Sequence, residues 1–156
     1  MKILGIDPST VSTGYAVVTP CENRVMEYGS IVMKPEVDIS DRLAKISDTI
    51  EPFFKKDIDC VAVETPFLKD NVSTLVKLSM IQGVLRRLAS KYNKRYVEIS
   101  PKKAKKALGL SGASSKKIVN AMCRSITNLD HVTLDESDAI AVTYAANNIL
   151  RLENIL

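Results

Sequence analysis

The sequence is poor in the residues that hold soft metals or build disulfide frames. It contains one histidine, His131, and three cysteines, Cys21, Cys60 and Cys123, with no C-x-x-C pair. An odd, scattered set of thiols argues against a disulfide scaffold and reads as small buried hydrophobes. No apolar run approaches the roughly 18 residues that a membrane span needs. The N-terminus carries one lysine and then a strand-like run, not a signal peptide with its cleavage site. The expectation is a soluble, cytoplasmic protein without membrane partners. Internal repeats, low-complexity tracts and long linkers are also missing. What remains, 156 residues with 46% apolar and 26% charged content, suits one domain, 1–156, with a substantial core.

Charge is unevenly spread. Residues 91–117 hold Lys91, Lys94, Arg95, Lys102, Lys103, Lys105, Lys106, Lys116 and Lys117 against one acid, Glu98. That segment carries +8 in a chain of net +4, so the remainder is at −4. A concentrated basic stretch is the electrostatic footprint of a polyanion-binding surface, or else a solvated lysine-rich helix face.

Apolar patterning predicts strands over 2–7, 13–19 and 24–33, with Pro and Asn punctuating the loop between the last two. In residues 38–56, Leu43, Ile46, Ile50, Phe53 and Phe54 recur at helical spacing. A short strand over 60–64, a long helix over 73–92 and a strand over 95–100 follow. Ser100 and Pro101 read as the N-cap and first residue of a short basic helix. The flexible break 109–115 leads to a helix capped by Ser114 or Ser115 and running to about Thr127. Thr133 and Glu136 fit a capping box at the start of a last helix over 133–152. Three hairpin strands followed by strands separated by helices define an α/β fold: a mixed five-stranded sheet, three strands antiparallel and then parallel ones, with helices on both faces.

Acids stand at the ends of these elements. Asp7 closes the first strand and Glu64 the fourth, while Asp135 and Asp138 lie three apart on one face of the last helix. Ligands of open α/β sheets bind beyond the carboxyl ends of strands. If the first and fourth strands are parallel neighbours, Asp7 and Glu64 sit side by side there, within reach of the last helix. Converging carboxylates repel unless protonated or bridged by a cation. The set is all oxygen, with no His or Cys, which argues against zinc and for Mg²⁺ or Mn²⁺. Two such ions about 4 Å apart suit activation of water and stabilisation of the leaving oxygen of a phosphodiester. Taken singly, each acid has a plainer role: Asp7 as a turn cap, Asp135 as a partner of the helix dipole. Glu136 and Asp130 are explained by capping and solvent, and His131 by a surface loop.

Four segments carry a resemblance. "GIDPSTVSTGYAVV" (5–18), "VAVETPFLKDN" (61–71), "GASSKKIVNAM" (112–122) and "DESDAIAVTYA" (135–145) occur in order, and over about residues 1–150 the chain resembles the RuvC family of Holliday junction resolvases. The resemblance implies an RNase H-like fold and a homodimer. It implies cleavage of two strands of a four-way DNA junction by symmetric cuts that leave 5′-phosphate and 3′-hydroxyl ends. It also implies Mg²⁺, with Mn²⁺ as a substitute and two ions per active site. It assigns the catalytic metal ligands to Asp7, Glu64, Asp135 and Asp138. It places an aromatic at the DNA crossover, matched by Phe67, and a lysine at the start of the helix after the Gly-rich break, matched by Lys116 with Lys117 second.

The family's Val-Lys pair before that break reads Lys103-Ala104 here. Lys103, Lys105 and Lys106 therefore compete for its task, and with Lys102, Lys116 and Lys117 they form the expected DNA-binding set. The gap between Gly109 and Lys116 is one residue longer than the family's, which leaves open a broader branched-DNA or RNA–DNA hybrid nuclease. Helix 73–92, with Leu75, Leu78, Met80, Ile81 and Leu85, is the expected dimer face or, equally, a core helix. The first motif also resembles the phosphate hairpin of sugar-kinase and actin-like ATPases, but 156 residues do not supply two lobes, and a second Gly-rich loop is missing. The short end after the last helix suggests a phage or other divergent member, acting in a bacterial or infected host cell. A branch-migration motor is compatible as a partner but not implied.

Overall fold

The computed structural model of the protein describes residues 1–66 and 71–153. Strand β1 (Ile3–Asp7) lies at the centre of a five-stranded sheet. It pairs antiparallel with β2 (Ser12–Thr19), which pairs antiparallel with β3 (Arg24–Val32). On its other side β1 is parallel to β4 (Cys60–Glu64), and β4 is parallel to β5 (Arg95–Ile99). The spatial order is β3-β2-β1-β4-β5. The predicted neighbourhood of the first and fourth strands is thus observed, with Ile6 opposite Val63. A single 3₁₀ turn, Pro20–Glu22, joins β2 to β3 and ends on Asn23 in the left-handed conformation.

Among the described residues, five α-helices cover the sheet. Helix α1 (Ile39–Phe54) starts at Asp38, whose carboxylate accepts from Ser40 N. It shares one face with α2 (Val72–Lys91), capped by Asn71. The other face carries α3 (Pro101–Ala107), α4 (Lys116–Thr127) and α5 (Leu134–Glu153). Ser100 caps α3 and Ser115, not Ser114, caps α4. The capping box of α5 is formed in both directions: Thr133 N donates to Glu136 Oε2 at 2.8 Å, and Glu136 N to Thr133 Oγ1 at 3.2 Å.

Strand alternation splits the core in two. Leu4, Ile6, Val17, Val61 and Val63 pack with Ile46, Ile50, Phe53, Phe54, Ile81 and Leu85 of α1 and α2. Ile3, Ala16, Val18, Cys60, Ala62 and Ile99 pack with Ala139, Ile140, Val142 and Ala146 of α5 and with Val119 and Cys123 of α4. The middle of α5 is buried all round, as a helix at the centre of a sheet face must be. It presses against backbone: a Cβ on Gly5 would stand 2.1 Å from the Ala139 carbonyl oxygen, and one on Gly14 2.1 Å from that of Asp135.

The apolar stripe expected on the long helix divides. Ile81 and Leu85 are wholly buried in the core, whereas Val72, Val76 and Met80 are exposed, at 69%, 46% and 44%. The buried half went to the core because α2 must close the sheet face beside α1. Among the described residues, no helix is long and apolar enough to cross a membrane.

Candidate active site

The parity that divides the core also builds the site. Asp7 follows Ile3 and Gly5 on the α5 side of β1, and Glu64 follows Cys60 and Ala62 on the same side of β4. Both acids thus finish their strands facing the start of α5, where Asp135 and Asp138 stand in the first two turns. The close approach at Gly14 brings the α5 terminus down onto the sheet. Three further ties hold it there: Ser30 Oγ donates to Glu136 Oε1, Asn120 Nδ2 donates to the carbonyls of Val132 and Thr133, and Tyr28 OH donates to the His131 carbonyl.

Lys116, at the first position of α4, joins three of the acids. Its Nζ lies 2.5 Å from Asp138 Oδ2, 3.7 Å from Asp7 Oδ2 and 3.8 Å from Asp135 Oδ1. Glu64 lies beside this cluster. It shares a cleft of about 130 Å³ with Asp7, Pro8, Thr65, Pro66, Leu78 and Pro101. It also shares a larger groove, about 670 Å³, with Lys102, Lys105, Lys116 and Asp138. Gln82 Nε2, from α2, donates to the Glu64 carbonyl at 3.3 Å.

These acids are hard to ionise together. Burial, then repulsion from Asp138 and Asp135, pushes Asp7 up to about 7 against the pull of Lys116. Burial, then Asp7 and Asp138, pushes Glu64 up to about 8, with Lys116 and Lys105 opposing. Asp138 is raised by burial and by Asp135, again against Lys116. Burial disfavours the charge on Lys116, but its hydrogen bond to Asp138 and the attraction of Asp138, Asp7 and Asp135 outweigh that and raise its pKa. A single ammonium thus leaves the cluster short of positive charge. Among the described residues, no three His, Cys, Asp or Glu side chains are arranged to hold one metal ion as they stand; the Lys116 ammonium lies among the acids instead.

Asp7 does not cap the turn that follows it. Ser9 Oγ accepts from Val11 N and Ser12 N, and Thr13 Oγ1 accepts from Ser9 N. The acid is left free for the cluster. The turn is also gripped from below by Arg42 of α1, buried at 4% exposure, whose guanidinium donates to the carbonyls of Thr10, Lys34 and Val37. Sequence reasoning did not identify Arg42, since at that position an arginine reads as part of the polar face. Gln82 and Asn120 were also missed; nothing in their spacing marks them.

The lysines separate. Lys102 and Lys105 line the large groove with the acids, and Lys105 is half-buried. Lys103 and Lys106 line a separate shallow depression with Ala107, Ala145, Asn148 and Ile149. Lys117 is exposed beside Lys116. Phe67 lies outside the described residues. His131 and Asp130 are exposed, as expected. Glu136 does cap, but it is buried at 9% exposure rather than solvated.

The fold is RNase H-like: a mixed five-stranded sheet with acids at the carboxyl ends of its central strands. The model of the family described as "Crossover junction endodeoxyribonuclease RuvC" matches residues 3–145. The crossover junction endodeoxyribonuclease RuvC of Chloroherpeton thalassium is 33% identical over 152 residues, covering 91% of this chain and 79% of that protein. That of Halothermothrix orenii is 32% identical over 157 residues, covering 97% and 95%. Among solved structures, Thermus thermophilus RuvC superimposes with a TM-score of 0.83 at 21% identity, covering 98% of this chain and 97% of that one. The same protein in complex with Holliday junction substrate gives 0.85, covering 97% and 96%. The chain belongs to the RuvC family of crossover junction endodeoxyribonucleases.

Proposed function

We propose that this chain is a Mg²⁺-dependent endonuclease that resolves four-way DNA junctions, with Asp7, Glu64, Asp135 and Asp138 holding the ions and Lys116 serving the phosphate. One observation carries this reading: four acids from three elements converge, three of them around the Lys116 ammonium and Glu64 beside them, on the wall of a groove lined by further lysines. The donor set fits a hard divalent cation. Burial first, and then repulsion from the neighbouring carboxylates, keeps Asp7 and Glu64 from ionising readily near neutral pH, and a dication offsets both. When bound, Mg²⁺ provides Lewis-acid activation of water and of the phosphoryl oxygen.

The chain's own groups do the rest. The groove admits the sugar-phosphate backbone, and Lys102 and Lys105 attract it. Lys116, released from Asp138, donates to a non-bridging phosphate oxygen and offsets charge that grows as the bond breaks. The family's product polarity, 5′-phosphate and 3′-hydroxyl, follows from attack on the phosphorus with departure of the 3′ oxygen. Two copies related by a two-fold axis match the two-fold symmetry of a junction and would make paired cuts. The exposed stripe Val72, Val76 and Met80 of α2 is the face we assign to that dimer.

The test is Asp7→Asn on a synthetic four-way junction with Mg²⁺. Binding persists while cleavage falls by roughly 10³-fold or more. Undiminished cleavage by the variant overturns the four-acid site. A panel of four-way, three-way, flap and RNA–DNA hybrid substrates measures how strictly the junction is selected.

A further inference from the structure

The four lysines of α3 occupy a seven-residue helix, yet they do not share one face. Successive residues of a helix turn by about 100°. Ala104 and Leu108 are buried at 3% and 8% exposure and anchor the helix on the core. That leaves Lys105 and Lys103 on opposite flanks, with Lys102 and Lys106, four residues apart, along the outer crest between them. The two flanks open onto different surfaces. Lys102 and Lys105 face the groove that contains Glu64, Asp138 and Lys116. Lys103 and Lys106 face the depression against α5, formed with Ala145, Asn148 and Ile149.

The second flank is unlike an ordinary solvated lysine face. Among the described residues, none of the four lysines is within ion-pair distance of a carboxylate. The α5 surface beside Lys103 and Lys106 offers alanine, asparagine and isoleucine and no acid. Nearby, Glu153 at the end of α5 is engaged by Arg95. Positive charge therefore stands on both sides of one ridge, facing the acids of the site on the groove side and no lining acid on the other. A single strand running through the catalytic groove meets only one of those sides.

Resting on the nuclease reading above, we propose that α3 lies between two phosphate backbones. Lys102 and Lys105 take the strand that carries the scissile phosphate, and Lys103 and Lys106 take a second backbone that is not cut. The second backbone belongs either to the complementary strand of the same arm or to a strand of a neighbouring arm; both present the same phosphodiester chemistry. Contacts of this kind fix orientation without reading sequence, and they would hold the cut strand in register from its far side.

The experiment compares Lys103→Ala/Lys106→Ala with Lys102→Ala/Lys105→Ala and the wild type in EDTA, where the junction stays intact. Alanine keeps helix propensity at these positions. Junction affinity is measured against salt, and a set of junctions with single neutral methylphosphonates locates the sensitive phosphates. Loss of two phosphate contacts lowers the slope of log affinity against log salt by about 2 and weakens binding about 10-fold at 0.1 M salt. The wild type shows two separate clusters of sensitive phosphates. Lys103→Ala/Lys106→Ala loses the cluster away from the cut, and Lys102→Ala/Lys105→Ala loses the one beside it. The position of the distal cluster tells the complementary strand from the neighbouring arm. Wild-type affinity and slope in Lys103→Ala/Lys106→Ala, or loss of the same cluster in both variants, overturns the proposal. A wild-type protein that neither binds nor cuts the junction overturns the functional reading instead.

Discussion

The two faces of the sheet are built to different rules. On the α1/α2 side the core is large and branched: Ile46, Ile50, Phe53, Phe54, Ile81 and Leu85 cover Leu4, Ile6 and Val63. On the α5 side it is small: Ala16, Ala62, Ala139, Ala141, Ala145 and Ala146 recur, and two glycines let a helix backbone touch the strands. The first face supplies bulk. The second gives up bulk so that α5 approaches closely enough for its first turn to meet Asp7 and Glu64. Chemistry and stability thus come from opposite sides of one sheet, with β1 common to both.

Matched core variants should break this division first. Leu85→Ala, on the bulky side, is expected to cost about 2–5 kcal/mol of stability. Its Mg²⁺-dependent cleavage per folded molecule should stay within about 3-fold of wild type, because the lost contacts are remote from the reacting groups. Gly14→Ala, on the close-packed side, puts a Cβ 2.1 Å from the Asp135 carbonyl oxygen, a backbone atom that must move, and should cost a comparable amount, about 3 kcal/mol or more, from overpacking. It should nevertheless reduce cleavage far more, about 10²-fold, since a displacement near 1 Å at the reacting groups is enough for that. Chemical denaturation and single-turnover cleavage on the same preparations give both quantities. Equal activity losses in the two variants would erase the distinction.

The next effect is read by pH. The raised values of Asp7, about 7, and Glu64, about 8, lie above the ordinary carboxylate range, so between about pH 4 and 8 the metal-free folded protein holds more protons than the unfolded chain. Stability then falls as pH rises across that window. Glu51 is lowered to about 2, first by its hydrogen bond from Lys91 and then by that from Tyr92; it acts below the window and does not offset the trend. In EDTA the Tm should drop by at least about 3 °C from pH 5 to pH 8, and Mg²⁺ should reduce the drop. An EDTA-treated protein with a flat Tm over this range would show that the acids are not strained.

The smallest effect concerns the cap of α5. Thr133→Ala removes the hydroxyl that accepts from Glu136 N and should cost about 1 kcal/mol. Thermal melts would show this as roughly 2–4 °C. Junction affinity in EDTA should not change, because the cap touches none of the groove lysines.

Much of this was legible in the residues. Strand ends at Asp7 and Glu64 and the three-residue step from Asp135 to Asp138 were sufficient to predict a convergence, and period-two alternation accounts for its side. The capping box at Thr133 and Glu136 and the Ser100-Pro101 start were read correctly because caps are local chemistry. Long-range choices were not readable. An apolar stripe does not say which of its members face inward, so Ile81 and Leu85 were indistinguishable from Met80. Arg42 reads as a surface residue until the turn after Asp7 and the 34–37 segment fold over it with their carbonyls. Four consecutive-looking lysines read as one patch until Ala104 and Leu108 fix how α3 rolls on the core.

Helix α5 has a further consequence. Its first two turns hold two of the acids, and residues 136–143 form the longest unbroken buried stretch among the described residues. The site therefore belongs to the same cooperative folding unit as the core and should not open by local fraying. Amide hydrogens of residues 138–146 should exchange with solvent only through global unfolding. The 109–115 break that forms the far wall of the groove is largely exposed, and its amides should exchange through small, frequent openings.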